Sequence, residues 1–362
     1  MANKRNFLFV VCQHGAEAAV KAELASAWPD FRFAYSRPGF LTFKLPSENE
    51  VPEEFDLRST FARTHGFSLG KVDGTDAVIG ARTVWEIARD LTFHHLHVWQ
   101  RDWSIPGDRG FEPGITPVAE EVAKQIVAAA PNDRTPRVNQ TAAQNETVLD
   151  CVLVHPNEWW IGYHRATSLA SRWPGGVCPV DASAPMVSRA YRKIVEALAW
   201  SKLPIAPGET CVDIGSSPGG ISQALLERDL KVIGIDPAEM EPSVLEHENF
   251  THIRKRGADV ARREFRDATW LVTDLNVAPA YTLDTAEAIA THPSIKIRGM
   301  LLTLKLPDWK LAAEIPTYIQ RVQSWGYHYV KTRQLAFNRQ EICLMALRQR
   351  AMRRVGRKSA EN

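Results

Sequence analysis

The segment that most constrains this chain is Cys211-Val-Asp-Ile-Gly-Ser-Ser-Pro-Gly-Gly-Ile-Ser-Gln223. An apolar run at 210–214 stops at Gly215, a helical pattern follows over 219–228, and a second apolar run at 231–235 ends in Asp236. Two strands joined by a helix make a βαβ unit, and such units impose a parallel sheet covered by helices. Gly215 lets the chain turn and come close to a ligand, while Gly219 and Gly220 open the next helix with little side-chain obstruction. Asp236 lies about 20 residues beyond the turn, where a carboxylate can accept both ribose hydroxyls of a nucleoside cofactor.

The same grammar runs through the C-terminal half. A helix at 186–200, strands at 269–273, 299–305 and 342–347, and helices at 284–292 and 311–325 predict a doubly wound α/β domain over 186–350, followed by a basic tail, 351–362. Upstream, a strand at 6–12 precedes a helix at 15–28, whose Ala16, Val20, Leu24 and Trp28 recur four apart until Pro29 closes it. Strands at 31–36 and 40–45 flank the turn Arg37-Pro-Gly39, and another lies near 66–72, giving a small α+β module over 1–72. Helical patterns at 82–90 and 117–130 with strands near 94–99, 148–154 and 159–164 predict a second α+β module, 73–165. Residues 166–185, rich in Ser, Pro and Gly, read as a linker or functional loop.

Composition narrows the partners. With 44% hydrophobic and 24% charged residues among 362, this is ordinary globular material, and no apolar stretch is long enough for a bilayer, so no membrane partner is expected. The run Phe7–Val11 after Lys4 and Arg5 reads as a strand rather than a signal peptide. Cys12, Cys151, Cys178, Cys211 and Cys343 show no C-x-x-C spacing, so no metal site is expected, and reduced thiols suit the cytoplasm. A formal charge of +2 argues against coating nucleic acid by bulk charge. That sum conceals a gradient: the net charge is 0 over 1–70, −4 over 71–170 and +6 over 171–362, so the positive excess lies with the glycine-rich turn. His94, His95 and His97, near Trp99 and Trp103, read as strand packing rather than a metal site. Trp159, Trp160 and Trp173 read equally as base-stacking platforms or as core or domain-interface packing. Arg254-Lys-Arg256 with Arg262, Arg263 and Arg266, and the run Arg348 to Lys358, read as solvated charge or as phosphate contacts.

The turn lacks both the full G-x-G-x-x-G pattern and a P-loop Gly-Lys-Ser/Thr, so S-adenosylmethionine fits better than NAD or ATP. Asp213-Ile-Gly-Ser-Ser-Pro-Gly-Gly220 resembles the cofactor motif of the FtsJ-type RNA ribose 2′-O-methyltransferases, which bind S-adenosylmethionine in a Rossmann-like fold. Thr273-Asp-Leu-Asn276 after one strand, Leu304-Lys-Leu-Pro307 at the end of another and Arg339-Gln-Glu341 before the last match in order. With Lys193 they resemble that family's Lys-Asp-Lys-Glu tetrad, which implies Lys193, Asp274, Lys305 and Glu341 as catalytic residues. The resemblance also implies cofactor contacts from Ser188, Asp213, Gly215, Ser217, Pro218, Gly219, Gly220, Asp236 and Asp274. Gly257-Ala-Asp259 is similar to the loop whose acid meets the adenine, which adds Asp259. Ser216-Ser217 stands where the family has a small Ala-type pair. Two upstream modules, Ser188-Arg189 and the Leu-Lys-Leu-Pro run are similar to the RlmM-type branch, whose members methylate a cytidine ribose of 23S rRNA. That branch implies a ferredoxin-like first module and a THUMP-like second one.

A ribose 2′-hydroxyl is a weak nucleophile, so methyl transfer requires it to be deprotonated or polarised and held in line with the methyl group. Positive charge on Lys193 would push Lys305 toward neutrality, while Asp274 and Glu341 oppose that, leaving Lys305 as either a base or a positioning cation. Asp274-Leu-Asn-Val277 lacks the Asn/Asp-Pro-Pro-Tyr/Phe run of base-amine methyltransferases, and neither that segment nor Lys305-Leu-Pro307 has the cysteine that cytosine-carbon methylation needs. The rival readings are a non-catalytic RNA-binding or ribosome-assembly factor, and a methyltransferase of small molecules or proteins. RNA, not DNA, is the expected partner, and a monomer the expected state.

Overall fold

A computed structural model describes residues 5–47, 51–180 and 185–348. The 351–362 tail, most of the Arg348 to Lys358 run, and 181–184 of the 166–185 stretch lie outside the described residues. The chain divides into two compact units, Met1–Pro179 and Val180–Asn362.

The first unit contains β1 (Phe7–Cys12), α1 (Glu17–Ala27), β2 (Arg32–Arg37), β3 (Phe40–Lys44), β4 (Ala62–Asp73), α2 (Ala77–Ile87), β5 (His95–Gln100), α3 (Pro117–Ala128), β6 (Arg137–Val138), β7 (Thr147–His155) and β8 (Glu158–Arg165). Its strands form one sheet in the order β2-β3-β1-β4-β8-β7-β5-β6. Strand β4 pairs antiparallel with β1 on one side and β8 on the other, so hydrogen bonding runs unbroken from the 1–72 stretch into the 73–165 stretch. Side chains alternate along the strands. Leu149, Cys151 and Leu153 pack with Val84 and Ile126 of the two helices, whereas Val152 and Val154 join Phe9, Phe40, Trp99 and Trp160 in a separate cluster. His95 and His97 are buried, their Nε2 atoms 2.8 Å from Glu146 and from the Gln140 carbonyl respectively. Trp159, Trp160 and Trp173 are 1%, 8% and 4% exposed, so all three are core and none offers a face to a base, which removes that reading of them.

The second unit contains α4 (Ala190–Ser201), β9 (Thr210–Ile214), α5 (Gly220–Leu226), β10 (Lys231–Ile235), α6 (Pro242–Leu245), β11 (Phe250–Ile253), β12 (Trp270–Thr273), α7 (Pro279–Ala290), β13 (Gly299–Lys305), α8 (Ile315–Ser324), β14 (Tyr329–Arg333) and β15 (Glu341–Leu347). The sheet order is β11-β10-β9-β12-β13-β15-β14, parallel from β11 to β13, with β15 antiparallel to both of its neighbours. Ile194, Cys211, Leu225, Trp270, Leu301 and Met345 contribute to its core. This is a doubly wound sheet whose order reverses beside β9, and a crevice outside the carboxyl ends of β9 and β12 is where such sheets bind ligands. Among the described residues no helix is long and apolar enough to cross a membrane.

Candidate active site

Strands β9 and β12 end side by side, with Ile214 opposite Thr273, so Gly215 and Asp274 emerge together at the reversal point. Gly215 has φ +83°, and a Cβ there would lie 2.9 Å from the Asp274 carbonyl oxygen and 3.0 Å from Leu275. A side chain at this turn would therefore be strained and would displace Asp274. At the start of α5, a Cβ on Gly220 would sit 2.2 Å from Ser188 Oγ, so the glycine permits close packing against the segment before α4. Gly219, at φ +126°, is similarly crowded by Val244, 2.9 Å from its would-be Cβ. Pro218 follows Ser217 through a cis peptide, and the Ser217 hydroxyl donates to the Glu239 carbonyl at 2.7 Å.

A cleft of about 420 Å³ opens here, bounded by Gly215, Asp236, Gly257, Leu275, Val277 and Tyr281. The Asp236 carboxylate accepts backbone N–H bonds from Ser217 at 3.3 Å and Ala238 at 2.8 Å, which fix its orientation. An oriented carboxylate beside apolar walls is a donor set that fits an adenosine group, with the acid for ribose hydroxyls and the walls for the base.

The remaining sequence candidates occupy different positions. Asp213 is fully buried beneath the turn and accepts from Ser222 Oγ at 2.8 Å, tying β9 to α5 rather than lining the cleft. Burial, reinforced by Asp274 and Asp236 against the Ser222 hydrogen bond, pushes its carboxyl up to about 7. Ser188 Oγ accepts from the Ala190 N–H at 3.3 Å at the entry to α4. Asp259 is exposed and does not line the cleft, although Gly257, two residues earlier, does. In the basic runs, Lys255 and Arg256 reach the cleft, Arg254 pairs with Glu239 at 3.3 Å, and Arg348 donates to the Ala290 carbonyl at 2.9 Å.

Next to the crevice four charged side chains meet. Lys193 comes from α4, Asp274 follows β12, Lys305 ends β13 and Glu341 begins β15. The antiparallel register sets Lys305 directly opposite Glu341. Lys193 Nζ donates to Asp274 Oδ2 at 2.6 Å and to Glu341 Oε1 at 2.9 Å. Lys305 Nζ donates to Asp274 Oδ1 at 3.0 Å and pairs with Glu341 Oε2. The result is a closed ring of alternating charge in which each carboxylate bridges both ammonium groups. Burial disfavours the charged form of Lys193, but Asp274 and Glu341 outweigh it and raise its pKa. Burial likewise opposes the charge on Asp274, yet the two lysines hold its carboxyl below the usual range. Lys305 is the most accessible member, its side chain 22% exposed against 3–12% for the others.

Sequence reasoning assigned no role to the cleft walls Leu275, Val277, Tyr281 and Thr285, or to Glu196. Glu196 lies three residues after Lys193 on α4, is 1% exposed, and accepts the Ala336 N–H at 2.8 Å, 3.6 Å from Arg333. It thereby holds the loop between β14 and β15 that leads into Glu341. A lone acid inside Ile194-Val-Glu-Ala-Leu198 was the available signal.

Residues 186–311 match the family model for FtsJ-like methyltransferase. Among curated proteins, the chain is 29% identical over 185 residues to "Ribosomal RNA large subunit methyltransferase M" of Azotobacter vinelandii, covering 48% of this chain and 51% of that one. It is 22% identical over 363 residues to the protein of the same name from Hahella chejuensis, covering 94% and 89% of the two chains. With the Tolumonas auensis protein of that name the identity is 26% over 366 residues, covering 88% and 96%. The chain thus spans about half the length of the first of these relatives and nearly all of the other two.

Proposed function

We propose, from the match of residues 186–311 to the FtsJ-like methyltransferase family model, that this chain transfers a methyl group from S-adenosylmethionine to a ribose 2′-hydroxyl of large-subunit ribosomal RNA, at a cytidine of 23S rRNA. The observation that carries this reading is the charge ring of Lys193, Asp274, Lys305 and Glu341 beside the β9/β12 crevice. Asp236, the turn 215–220 and the cleft walls would hold the cofactor, which supplies the methyl group as a sulfonium. Lys193, buried between them, fixes both carboxylates. Lys305, the accessible member, is placed to meet the 2′-hydroxyl, either orienting it as a cation or taking up its proton as the oxygen attacks the methyl group.

Within the first unit, the order β2-β3-β1-β4 with α1 after β1 supports a ferredoxin-like assignment for 1–72, and we assign 73–165 to a THUMP-like module that recognises RNA shape. We assign the reaction to the cytoplasm, in keeping with a ribosomal RNA substrate, and to a monomer without DNA as a partner.

The test is transfer of tritium from labelled S-adenosylmethionine to rRNA, with 2′-O-methyl mapping of 23S rRNA from cells with and without the protein. Ribonuclease-sensitive label and one cytidine whose methylation depends on the protein are expected. Lys305→Ala should abolish transfer while leaving cofactor affinity near wild type. Full activity in that variant would remove Lys305 from the chemistry, and absence of any transfer by the native chain would leave a non-catalytic RNA-binding role.

A further inference from the structure

We propose that the first unit carries a docking surface for single-stranded RNA in which Trp103 is a base-stacking platform and Arg37 and Lys71 hold phosphates. The choice of RNA rests on the methyltransferase reading above; the surface itself rests on the following geometry.

Trp103 is 45% exposed, while Trp99, Trp159, Trp160 and Trp173 of the same unit are 8% exposed or less. Its ring is held in place by the Arg101 guanidinium, 5.1 Å from its centroid, and by the His155 ring at 5.7 Å. Arg101 is in turn pinned by donating to the carbonyls of Val154 at 2.6 Å, Pro38 at 2.9 Å and Asp102 at 3.2 Å. An indole fixed by a rigid cation yet open to solvent offers a preorganised π-face. Through its bond to Pro38, Arg101 lies beside Arg37, which is 5.5 Å from the Tyr35 ring, and Lys71 Nζ sits 4.8 Å from Tyr35 and 4.3 Å from Trp160. Tyr35 and Trp160 stack at 5.5 Å, joining these strands into one aromatic floor. Burial, with the positive charge of Arg37 added to it, lowers the pKa of Arg101, so these cations crowd one another. Glu158, 3.2 Å from Lys71, is a carboxylate set among them.

Cations gathered over aromatic rings, on stretches whose net charges are 0 and −4, form a local concentration that bulk composition does not explain. A polyanion with exposed bases complements both features, whereas a duplex, its bases stacked internally, cannot use Trp103.

The test uses the intact chain and a fluorescein-labelled single-stranded RNA of about 12 nucleotides, with a matched duplex, read by anisotropy across a salt series. Trp103→Ala should weaken single-strand binding about tenfold, and Trp103→Phe less. Arg37→Ala with Lys71→Ala should weaken it comparably and flatten the salt dependence by roughly 1.4 in log–log slope, about 0.7 per phosphate contact. Thermal melting of the variants should match wild type, and Lys124→Ala, an exposed change on α3, should leave binding unaltered. Wild-type affinity in both Trp103→Ala and the double variant overturns the surface, as does duplex binding equal to single-strand binding. Methyl transfer is measured alongside. Transfer by the native chain with unchanged binding in the variants removes the surface alone, and lost binding without any transfer removes the methyltransferase reading alone.

Discussion

Lys305 and Glu341 confront each other because one is the last residue of β13 and the other the first of β15, at a position the antiparallel register fixes. A shift of one residue would turn one of the pair to the opposite face. Asp213 serves differently. Buried and joined to Ser222, it is better tolerated protonated, with a folded-state value of about 7 against an ordinary 3.8. A raised carboxyl contributes its full stability below the unfolded value and loses it as pH climbs through the folded value. The window is therefore from about pH 4 to 7, and the loss is at most about 4 kcal/mol. The native chain's denaturant midpoint should rise from pH 8 to pH 5, and Asp213→Asn should flatten that rise. An unchanged pH dependence would mean that Asp213 is ionised in the folded protein throughout.

At the level of elements, the turn after β9 packs so tightly against the charge ring that a Cβ on Gly215 would lie 2.9 Å from the Asp274 carbonyl oxygen. Gly215→Ala places a side chain at φ +83°, a conformation costing about 1–2 kcal/mol, and presses on Asp274. Calorimetry should show weaker S-adenosylmethionine binding by about tenfold, as that strain implies; native affinity would mean the cleft does not depend on this turn. Much of this unit was legible in the sequence. Residues 210–214, 231–235 and 299–305 are strands to the residue, because each is a mainly apolar run buried on both faces over most of its length. Helices were placed less well where their caps were overlooked. Asp76 accepts from the Val78 and Ile79 amides and starts α2 at Ala77, ahead of the expected 82–90. Pro279 opens α7 well before 284, and Pro316 belongs to the first turn of α8, which begins at Ile315 after a 3-10 turn. Strand β14 was missed because Tyr329–Arg333 is an edge strand with mostly polar, partly exposed residues. Three of the ring residues, Asp274, Lys305 and Glu341, were legible because they sit at strand ends with distinctive neighbours, and Lys193 because it lies in the helix that precedes the glycine-rich turn. Leu275, Val277 and Tyr281 were not, because an apolar residue that walls a cleft has the same chemistry as one that fills a core.

Over the whole molecule, the positive excess of 171–362 accompanies a unit with its own hydrophobic core. Residues 180–362 expressed alone should fold and bind S-adenosylmethionine as the intact chain does, while transferring methyl groups to rRNA poorly for want of the first unit's RNA contacts. Undiminished transfer by the fragment would leave the first unit without a part in substrate capture. The first unit offers no comparable place to divide. Strand β4 lends one edge to β1 and the other to β8, and its Val72 belongs to the core beneath α2 and α3. A hybrid that takes residues 1–72 from a relative would import half of a hydrogen-bonded seam together with a core side chain shaped for another protein's helices. The two stretches must therefore be inherited as a pair, and recombination between homologues should be tolerated near residue 180 far better than near residue 72.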